Sequence, residues 1–402
     1  MLDLLDGEAY SSGAYERYAW FREHEPVAWD DGNELWGIFR YADVAEIETR
    51  DDVFISSDQH KGGYRPNIPA DPAMIGLDNP AHARRRRLVS RRFTPRAVAQ
   101  RETQVRAVVT ELLDAALDNG RVEIVGDLAS VLPARMIGWL LGFPDDAWPA
   151  LRDLSERTIV LGGGPRYFNE DGFSAATEFV QAALALYADK QGCPADDVMT
   201  VWTTAAIDGV PLTPREVGSD CLLLLDGGAE TTRTVIARAM LALIEHPDQW
   251  AALRAGADLA VATEEFIRFV SPLHNMCRTA AADYRIGGVT IRAGDQVVLL
   301  YGSANRDPER FDDPERFDIG RAPNVHLSFG LGTHFCLGAG LARLEIRVFF
   351  EELVRRVREM RLAPGHEVVE APNAFVYGLK SATVDLIADP PRTVPDRRVR
   401  RP

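Results

Sequence analysis

The feature that most restricts the fold of this chain is a helical stretch of about thirty residues, 213–245. It begins with Thr213-Pro214-Arg215-Glu216, a capping box with proline at the first helical position. At 1.5 Å per residue, about thirty residues span roughly 45 Å, enough to cross the whole molecule. Such a helix must be surrounded by the other elements, so we expect a mostly helical protein.

Other helices are predicted where apolar residues recur at helical spacing. These stretches are 80–118, 135–160, 171–190, 247–254, 258–270 and Leu337 to Arg358. Short strands are predicted around "VAWDDGNELWGIFR", where Asp-Gly favours a hairpin turn, and after Pro272, where apolar residues alternate between glycine turns. The segment 58–78 is rich in Pro, Gly, Asp and Asn and is typical of a long loop. The predicted fold is mainly α with a minor β region.

Composition and charge exclude several classes of protein. The chain has 402 residues with 45 basic and 60 acidic side chains, a net charge of −15. This balance argues against a nucleic-acid partner, because phosphate binding needs a broad basic face. The start, "MLDLLDGEAYSSG", lacks the basic and apolar parts of a signal peptide, and no apolar run approaches the ~18 residues that span a bilayer. We expect a cytoplasmic monomer without a membrane anchor.

The domain organisation is predicted to be simple. No internal repeat and no Gly/Ser-rich or Pro-rich linker divides the chain, so residues 1–386 are expected to form a single catalytic domain. Residues 387–402 lack apolar periodicity and are rich in Pro and Arg. They are predicted to be a disordered tail.

The segment "FGLGTHFCLG", 329–338, carries the strongest chemical signal. Its glycines allow a tight backbone that can approach a flat ligand closely. Cys336 directly precedes a predicted helix, whose positive end is expected to lower the thiol pKa and favour the thiolate. A thiolate is a strongly electron-donating ligand for haem iron. A zinc site of His334 and Cys336 lacks a second ligand pair at metal spacing. The remaining cysteines, 193, 221 and 277, are expected to be small buried apolar side chains.

The sequence resembles the cytochrome P450 haem-thiolate monooxygenases over nearly its whole length. The family pattern Phe-x-x-Gly-x-His/Arg-x-Cys-x-Gly is matched by Phe329, Gly332, His334, Cys336 and Gly338. The resemblance implies the cytochrome P450 fold, with a long central helix over the haem and small antiparallel sheets. It also implies haem b with Cys336 as the axial iron ligand, and O2 as co-substrate.

Further haem contacts are implied by the same resemblance. The residues that it places against the haem are Gly228, Phe329, Gly330 and Gly338. Propionate carboxylates need charge-assisted hydrogen-bond donors. The resemblance assigns this role to His82, Arg86, Arg278 and His334, the first two of which lie at i, i+4 on one helical face.

The middle of the long helix contains Gly227 and Gly228, each of which costs about 1 kcal/mol relative to alanine. A groove for a ligand or a widened turn would explain them. The resemblance identifies "GGAET" as a proton-delivery site, because cleavage of dioxygen consumes two protons. Thr231 is expected to hold a water molecule and Glu230 to link it to bulk solvent. The alternative is a threonine that bonds its own helix beside a surface glutamate.

A second family feature is structural. "EFIR" places Glu265 and Arg268 at i, i+3, where they can form an ion pair. The resemblance adds an arginine from a Pro-Glu-Arg-Phe segment, matched here by "PERF", 314–317. The predicted triad is therefore Glu265, Arg268 and Arg316, and it is expected to support the cysteine loop.

Electrons must come from another protein, because no Gly-x-Gly-x-x-Gly follows a predicted strand to bind NAD(P)H. The family resemblance implies a ferredoxin and its reductase. A basic cluster suits an acidic partner: Arg84, Arg85, Arg87, Arg91 and Arg92. An arginine-rich solvated helix is the competing interpretation.

The substrate is predicted to be a bulky hydrophobic molecule. "GGAETTR", "LHNMCR", "HLSFGLGTHFC" and "NAFVYGLKS" resemble the actinobacterial branch that oxidises steroid side chains. Asp226 departs from that pattern, since an apolar residue is expected before the glycine pair. A polyketide, macrolide or terpenoid substrate remains an alternative, and so does a haem-binding protein without turnover. The expected substrate contacts are Met74, Ile75, Leu161, Gly227 and Phe375.

Overall fold

The long helix predicted from 213 to 245 is the central element of the computed structural model, which describes residues 2–11 and 13–389. It has the predicted capping box. The Thr213 backbone N–H donates to the Glu216 carboxylate at 2.7 Å, and the Glu216 N–H donates to the Thr213 hydroxyl at 3.3 Å. Buried side chains occur along the helix from Val217 to Leu243, so other elements surround it.

The described residues are mainly helical, as the sequence predicts. The helices are α1 (Gly7–Ser11), α2 (Ala14–His24), α3 (Tyr41–Thr49), α4 (Ala81–Ser90), α5 (Pro95–Ala99), α6 (Glu102–Asn119), α7 (Val131–Leu141), α8 (Trp148–Ile159), α9 (Glu170–Gly192), α10 (Val198–Thr204), α11 (Pro214–Glu245), α12 (Pro247–Arg254), α13 (Leu259–Val270), α14 (Tyr301–Ala304) and α15 (Ala339–Arg356). The largest apolar core forms where α7, α8, α9, α13 and α15 pack around α11.

The strands are short and form small sheets. They are β1 (Val27–Asp30), β2 (Leu35–Ile38), β3 (Phe54–Ile55), β4 (Arg121–Glu123), β5 (Ala206–Ile207), β6 (Val210–Pro211), β7 (Asn275–Ala280), β8 (Tyr284–Ile286), β9 (Val289–Ile291), β10 (Gln296–Leu300), β11 (Val357–Leu362), β12 (Val369–Ala371), β13 (Gly378–Ser381) and β14 (Thr383–Ala388). One sheet has the order β1-β2-β10-β7-β3 and another the order β11-β14-β4.

The small sheets are antiparallel, as expected, except at one place. The predicted hairpin exists, with β1 and β2 antiparallel. However, β10 pairs with β2 in parallel, Val297 lying opposite Trp36. The two strands are more than 250 residues apart in the chain, and the long connection between them permits the parallel direction.

Two predicted helices are interrupted in the structure. The stretch 80–118 is divided into α4, a short turn, α5 and α6, because Pro95 starts a new helix with Thr94 as its cap. The stretch 135–160 is divided into α7 and α8. Helix α7 ends at Gly142, which has a φ of 105°, and Pro144 follows two residues later.

The predicted boundary of the tail is also corrected. Ile387 and Ala388 are the last residues of β14 and pair with Glu359 and Val357 of β11. These backbone hydrogen bonds hold them in the sheet. The rest of the predicted tail, 390–402, lies outside the described residues.

Two further expectations are tested by burial. Among the described residues, the stretch 124–141 is long and apolar enough to cross a membrane, with a mean hydropathy of 1.4, but 78% of it is buried inside the protein. Core helices of globular proteins pass the same test. Of the cysteines expected to be buried, Cys221 and Cys277 are, whereas Cys193 is exposed because it follows the end of α9 at Gly192.

A fully buried ion pair lies on α13. The Arg268 guanidinium donates to both carboxylate oxygens of Glu265 at 2.8 Å, and both side chains are 0% exposed. The third member of the triad is Arg321, whose Nε lies 3.2 Å from Glu265. The prediction of Arg316 is wrong: its side chain is exposed, and only its carbonyl takes part, accepting from Arg268 and Arg321.

This ion pair is connected to the cysteine loop. Arg268 donates to the Asn305 carbonyl at 2.8 Å. The Asn305 side chain accepts from the Leu327 N–H at 2.7 Å and donates to the Ser328 hydroxyl at 2.9 Å. Ser328 in turn donates to the Ile267 carbonyl of α13 at 3.0 Å. The start of the loop is therefore fixed to the helix that carries the ion pair.

The role of Arg321 can be tested by mutation. Arg321→Ala should lower the free energy of unfolding by about 1–3 kcal/mol, since it removes a charged partner from a buried carboxylate. Arg316→Ala is the matched control and should change it by less than about 0.5 kcal/mol, because its side chain is exposed. Urea unfolding measures both. Equal destabilisation by the two substitutions would show that Arg316 is the third member of the triad with Glu265 and Arg268.

Candidate active site

A cavity of about 500 Å³ lies between the cysteine loop, α4, α11 and the loop 58–78. All of the residues predicted to bind the cofactor border it: His82, Arg86, Gly228, Arg278, Phe329, Gly330, His334, Cys336 and Gly338. The predicted substrate contacts also border it: Met74, Ile75, Leu161, Gly227 and Phe375. Thr231 does so too. Residues from distant parts of the chain are thus brought to one place.

The cysteine loop has a backbone that only glycine adopts easily. Gly330 and Gly332 have φ values of 64° and 62°, in the left-handed region. A Cβ on Gly332 would lie 2.6 Å from the Glu48 carbonyl oxygen. The Cys336 N–H donates to the Phe329 carbonyl at 2.8 Å, which closes the loop. Helix α15 begins at Ala339, two residues later than predicted.

The electrostatics of Cys336 differ from the expectation. Burial raises the pKa of its thiol, while the backbone N–H groups of Gly338 and Ala339 and the guanidinium of Arg86 lower it. The net direction is upward, because loss of hydration outweighs the favourable dipoles at the start of the helix. The helix start alone therefore does not make this thiol acidic, and a cation bound to the sulfur would be needed to stabilise the thiolate.

Four side chains that can donate hydrogen bonds to a carboxylate lie at one side of the cavity: His82, Arg86, Arg278 and His334. The rings of His82 and His334 are 4.2 Å apart between centroids, and each has a buried Nδ1 atom without a hydrogen-bond partner among the described residues. Burial lowers the pKa of His82 to about 4 and that of His334 to about 2. Arg86 donates to the Phe335 carbonyl at 2.6 Å, and Arg278 lies beside Glu48 at 3.1 Å.

Glu48 is a site residue that the sequence analysis missed. It is 4% exposed, borders the cavity, pairs with Arg278 and accepts a hydrogen bond from the Tyr301 hydroxyl. It lies on α3, far from every recognised motif, and one glutamate in a short helix gives no signal of burial. It compensates the charge of Arg278, which would otherwise be costly at this depth.

The glycine pair of α11 has two separate explanations. A Cβ on Gly228 would lie 2.9 Å from Ile137, so this glycine permits close packing of α7. A Cβ on Gly227 would meet nothing within 4 Å, which places it at the open surface of the cavity. The helix is not widened here. Thr231 donates to the Gly227 carbonyl at 2.8 Å, so its hydroxyl oxygen remains available as an acceptor.

Glu230 does not reach solvent itself, so the alternative of a surface glutamate is wrong. It is 1% exposed, and Arg233 lies 2.6 Å from its carboxylate. Arg233 also lies 3.5 Å from Glu156, whose side chain is 51% exposed. Burial raises the pKa of Glu230, and Arg233 lowers it in part. The path from Glu230 to solvent therefore passes Arg233 and Glu156.

The loop 58–78 is anchored to α11 beneath its cavity-facing residues. Asp220 accepts a hydrogen bond from the Met74 N–H at 2.6 Å and another from Arg85 at 2.6 Å. Arg85 also donates to Glu216 at 2.7 Å. Arg85 and Asp220 are 2% and 0% exposed in their side chains. Because this contact is buried, it fixes Met74 at the cavity wall.

The basic cluster is smaller than predicted. Arg85 is buried, so it cannot serve a docking surface. Arg84 and Arg92 are paired with Asp208 and Asp196. Arg87 and Arg91 are exposed, and neither has a carboxylate within 4 Å in the described part of the chain. Two of the five arginines therefore carry the free positive charge.

These residues fit a flat group with two carboxylates. Gly227 and Gly338 both face open space, where a Cβ would reduce the room for such a group. The unpartnered imidazoles and the two arginines supply donors for carboxylates. Cys336 borders the same cavity and supplies sulfur for a metal. Among residues 2–11 and 13–389, no group of three or more His, Cys, Asp or Glu side chains could hold a metal ion by itself.

Comparison with protein families gives an independent result. The family model described as Cytochrome P450 matches residues 259–376. Steroid C26-monooxygenase from Mycobacterium tuberculosis strain ATCC 25618 / H37Rv is 37% identical over 398 residues, which cover 97% of this chain and 98% of that protein. The similarity therefore extends far beyond the matched family segment.

Solved structures agree with the sequence comparison. CYP109E1 from Bacillus megaterium in complex with testosterone has a TM-score of 0.85 and 31% identity, covering 94% of this chain and 99% of that one. A mutant of P450 EryK in complex with erythromycin B has a TM-score of 0.86 and 31% identity, covering 95% and 97%.

Proposed function

Since this chain belongs to the cytochrome P450 family and is a monooxygenase that binds haem and uses O2, we propose that its substrate is a steroid oxidised on the side chain. The similarity to a steroid C26-monooxygenase over 97% of the chain carries this proposal. The cavity supports it, since apolar side chains such as Leu161, Leu223 and Phe375 line much of its wall.

Cys336 would supply the thiolate that binds the haem iron. Arg86, Arg278, His82 and His334 would hold the propionates. Gly228, Phe329, Gly330 and Gly338 would lie against the porphyrin. When bound, the haem activates O2 so that one oxygen atom enters a C–H bond of the substrate and the other leaves as water.

Thr231 and Glu230 are proposed to manage the protons that this reaction consumes. Thr231 uses its hydroxyl hydrogen on Gly227, so its oxygen can accept a hydrogen bond from a water molecule at the cavity wall. The carboxyl of Glu230 is held by Arg233, one step from exposed Glu156. Its raised pKa favours the protonated form, which suits a proton donor.

A macrolide or related secondary metabolite is the second candidate substrate. The similarity to P450 EryK in complex with erythromycin B favours it, at 31% identity over 95% of the chain. Two charged side chains, Arg65 and Asp226, border the cavity and suit an oxygenated substrate. A haem protein without turnover is a weaker alternative, because Glu230 and Thr231 are both present.

The proposed electron donor is a ferredoxin that docks near the exposed arginines Arg87 and Arg91. Phe335 of the cysteine loop is 39% exposed. Its carbonyl accepts a hydrogen bond from Arg86, which lies on α4 beside Arg87.

A single catalytic domain, a monomeric state and a cytoplasmic location stay predictions. Light scattering of the haem-loaded protein measures its oligomeric state, and cell fractionation measures its location.

Cys336→Ser tests the ligand assignment. The substitution should remove the absorption band near 450 nm that the reduced carbon monoxide complex of a thiolate-ligated haem gives, because an alcohol is a much weaker donor. Cys277→Ser, at a buried cysteine outside the cavity, is the control and should keep the band. A normal band in the Cys336 variant would show that another residue binds the iron.

Thr231→Ala tests proton delivery. Product formation should fall by about 10²-fold while reductant consumption continues and hydrogen peroxide accumulates, because general acid assistance is worth about 10²–10⁴-fold. Glu230→Gln should slow turnover by a similar factor. Thr234→Ala, a buried threonine on the same helix that does not border the cavity, is the control. Unchanged coupling in the Thr231 variant would contradict the role.

A spin-state titration tests the substrate. Cholest-4-en-3-one should shift the haem toward high spin with micromolar affinity, and mass spectrometry of the product should show one added oxygen on the side chain. Erythromycin B and palmitic acid serve as competitors of different class. A response to erythromycin B with none to the steroid would favour the second candidate.

Charge reversal tests the docking surface. The double variant Arg87→Glu/Arg91→Glu should slow reduction by a ferredoxin about tenfold at low ionic strength, and added salt should reduce the difference. Arg358→Glu, at another exposed arginine on β11, is the matched control. Equal rates for the double variant and the control would place the docking surface elsewhere.

A further inference from the structure

Arg65 is a charged side chain of the cavity that oxygen activation does not use. It lies in the loop 58–78, with its guanidinium carbon 3.3 Å from the centroid of the Phe375 ring and 5.4 Å from that of Tyr64. Its Nη1 atom is buried and has no hydrogen-bond partner among the described residues. No carboxylate of those residues lies within 4 Å of it. A buried donor without a partner is costly and requires an explanation.

Asp226 faces the same cavity from α11, where the family pattern expects an apolar residue. Its Oδ1 accepts hydrogen bonds from the Thr158 hydroxyl at 2.7 Å and the Ser155 hydroxyl at 3.5 Å. Its Oδ2 makes no hydrogen bond within residues 2–11 and 13–389. Burial raises the pKa of Asp226 to about 7. Arg65 and Asp226 interact electrostatically across the cavity without direct contact.

We propose that Arg65 and Asp226 form a polar anchor for an uncharged oxygen-bearing group on an otherwise apolar substrate. Arg65 borders the cavity and donates from its guanidinium to a keto or hydroxyl oxygen. Asp226 accepts from a hydroxyl, or from a water molecule that also contacts the oxygen. The anchor deepens the proposed function and rests on it, because the substrate is assumed to bind in the same cavity. It does not depend on which substrate class binds, since a steroid ketone and a macrolactone both carry such an oxygen.

The surrounding charges favour a neutral group over a carboxylate. Asp71 also borders the cavity and, like Asp226, interacts electrostatically with Arg65. With two carboxyl groups near it, Arg65 offers no net positive charge to an anionic substrate. A keto or hydroxyl oxygen accepts a hydrogen bond from the Arg65 guanidinium without adding charge. A hydrocarbon leaves this donor unpaired and is rejected for that reason.

The experiment compares matched ligands that differ by one oxygen atom. The haem-loaded protein is titrated with cholest-4-en-3-one and cholest-4-ene, and with cyclododecanone and cyclododecane, while the spin state is followed. The wild-type protein should prefer each ketone by about tenfold or more. Arg65→Met should reduce this preference to less than about twofold, and Arg65→Lys should restore part of it. Asp226→Leu should weaken binding of cyclododecanol more than that of cyclododecanone.

Control variants separate the anchor from general loss of binding. Leu161→Ala, at an apolar residue of the same cavity, should weaken both members of a pair equally and leave the preference unchanged. If no steroid binds but cyclododecanone is still preferred through Arg65, the steroid assignment fails and the anchor stands. An unchanged preference in Arg65→Met would overturn the anchor. Tighter binding of palmitate than of either ketone would overturn its neutral character.

Discussion

The rest of the structure depends on a fully buried ion pair between Glu265 and Arg268. Taking two charges out of water costs several kcal/mol per ion, so the pair persists only with good geometry and with its remaining hydrogen-bonding atoms satisfied. Both conditions hold: two bonds of 2.8 Å join the side chains, and Arg321 and Asn324 bind the same carboxylate. Backbone carbonyls that would otherwise be unpaired accept from Arg268. The pair thereby fixes the segments around it.

The cysteine loop is positioned through this network and not by apolar packing alone. Asn305 links the ion pair to the loop through Leu327 and Ser328. From there the chain enters the glycine turn at Gly330, and the Cys336 N–H closes it on Phe329. A ligand to a metal must be held within a fraction of an ångström, and rigid supporting hydrogen bonds supply that precision. This explains why a structural pair lies so near the chemistry without contacting it.

Much of the fold could be predicted, because its main signals are local. The capping box of Thr213 and Glu216 and the spacing around Cys336 are read within a few residues. Helix boundaries at Gly142 and Pro95 were missed because apolar periodicity continues across them. The prediction of the third triad member is wrong for another reason: Arg316 and Arg321 are five residues apart, and only the path of the chain decides which side chain turns inward.

The charges of the cavity could not be predicted, because each depends on contacts between distant segments. Glu48 and Arg278 are 230 residues apart, and neither lies in a sequence motif that indicates the other. Arg65 is a contrasting case, since no carboxylate of the described residues lies within 4 Å of it and its Nη1 atom has no hydrogen-bond partner among them. A protein that buries Glu48 to neutralise Arg278 can evidently compensate cavity charges, so the free donor on Arg65 is best explained by a partner that arrives with the substrate. On this argument Asp226 is a specificity feature of the pocket.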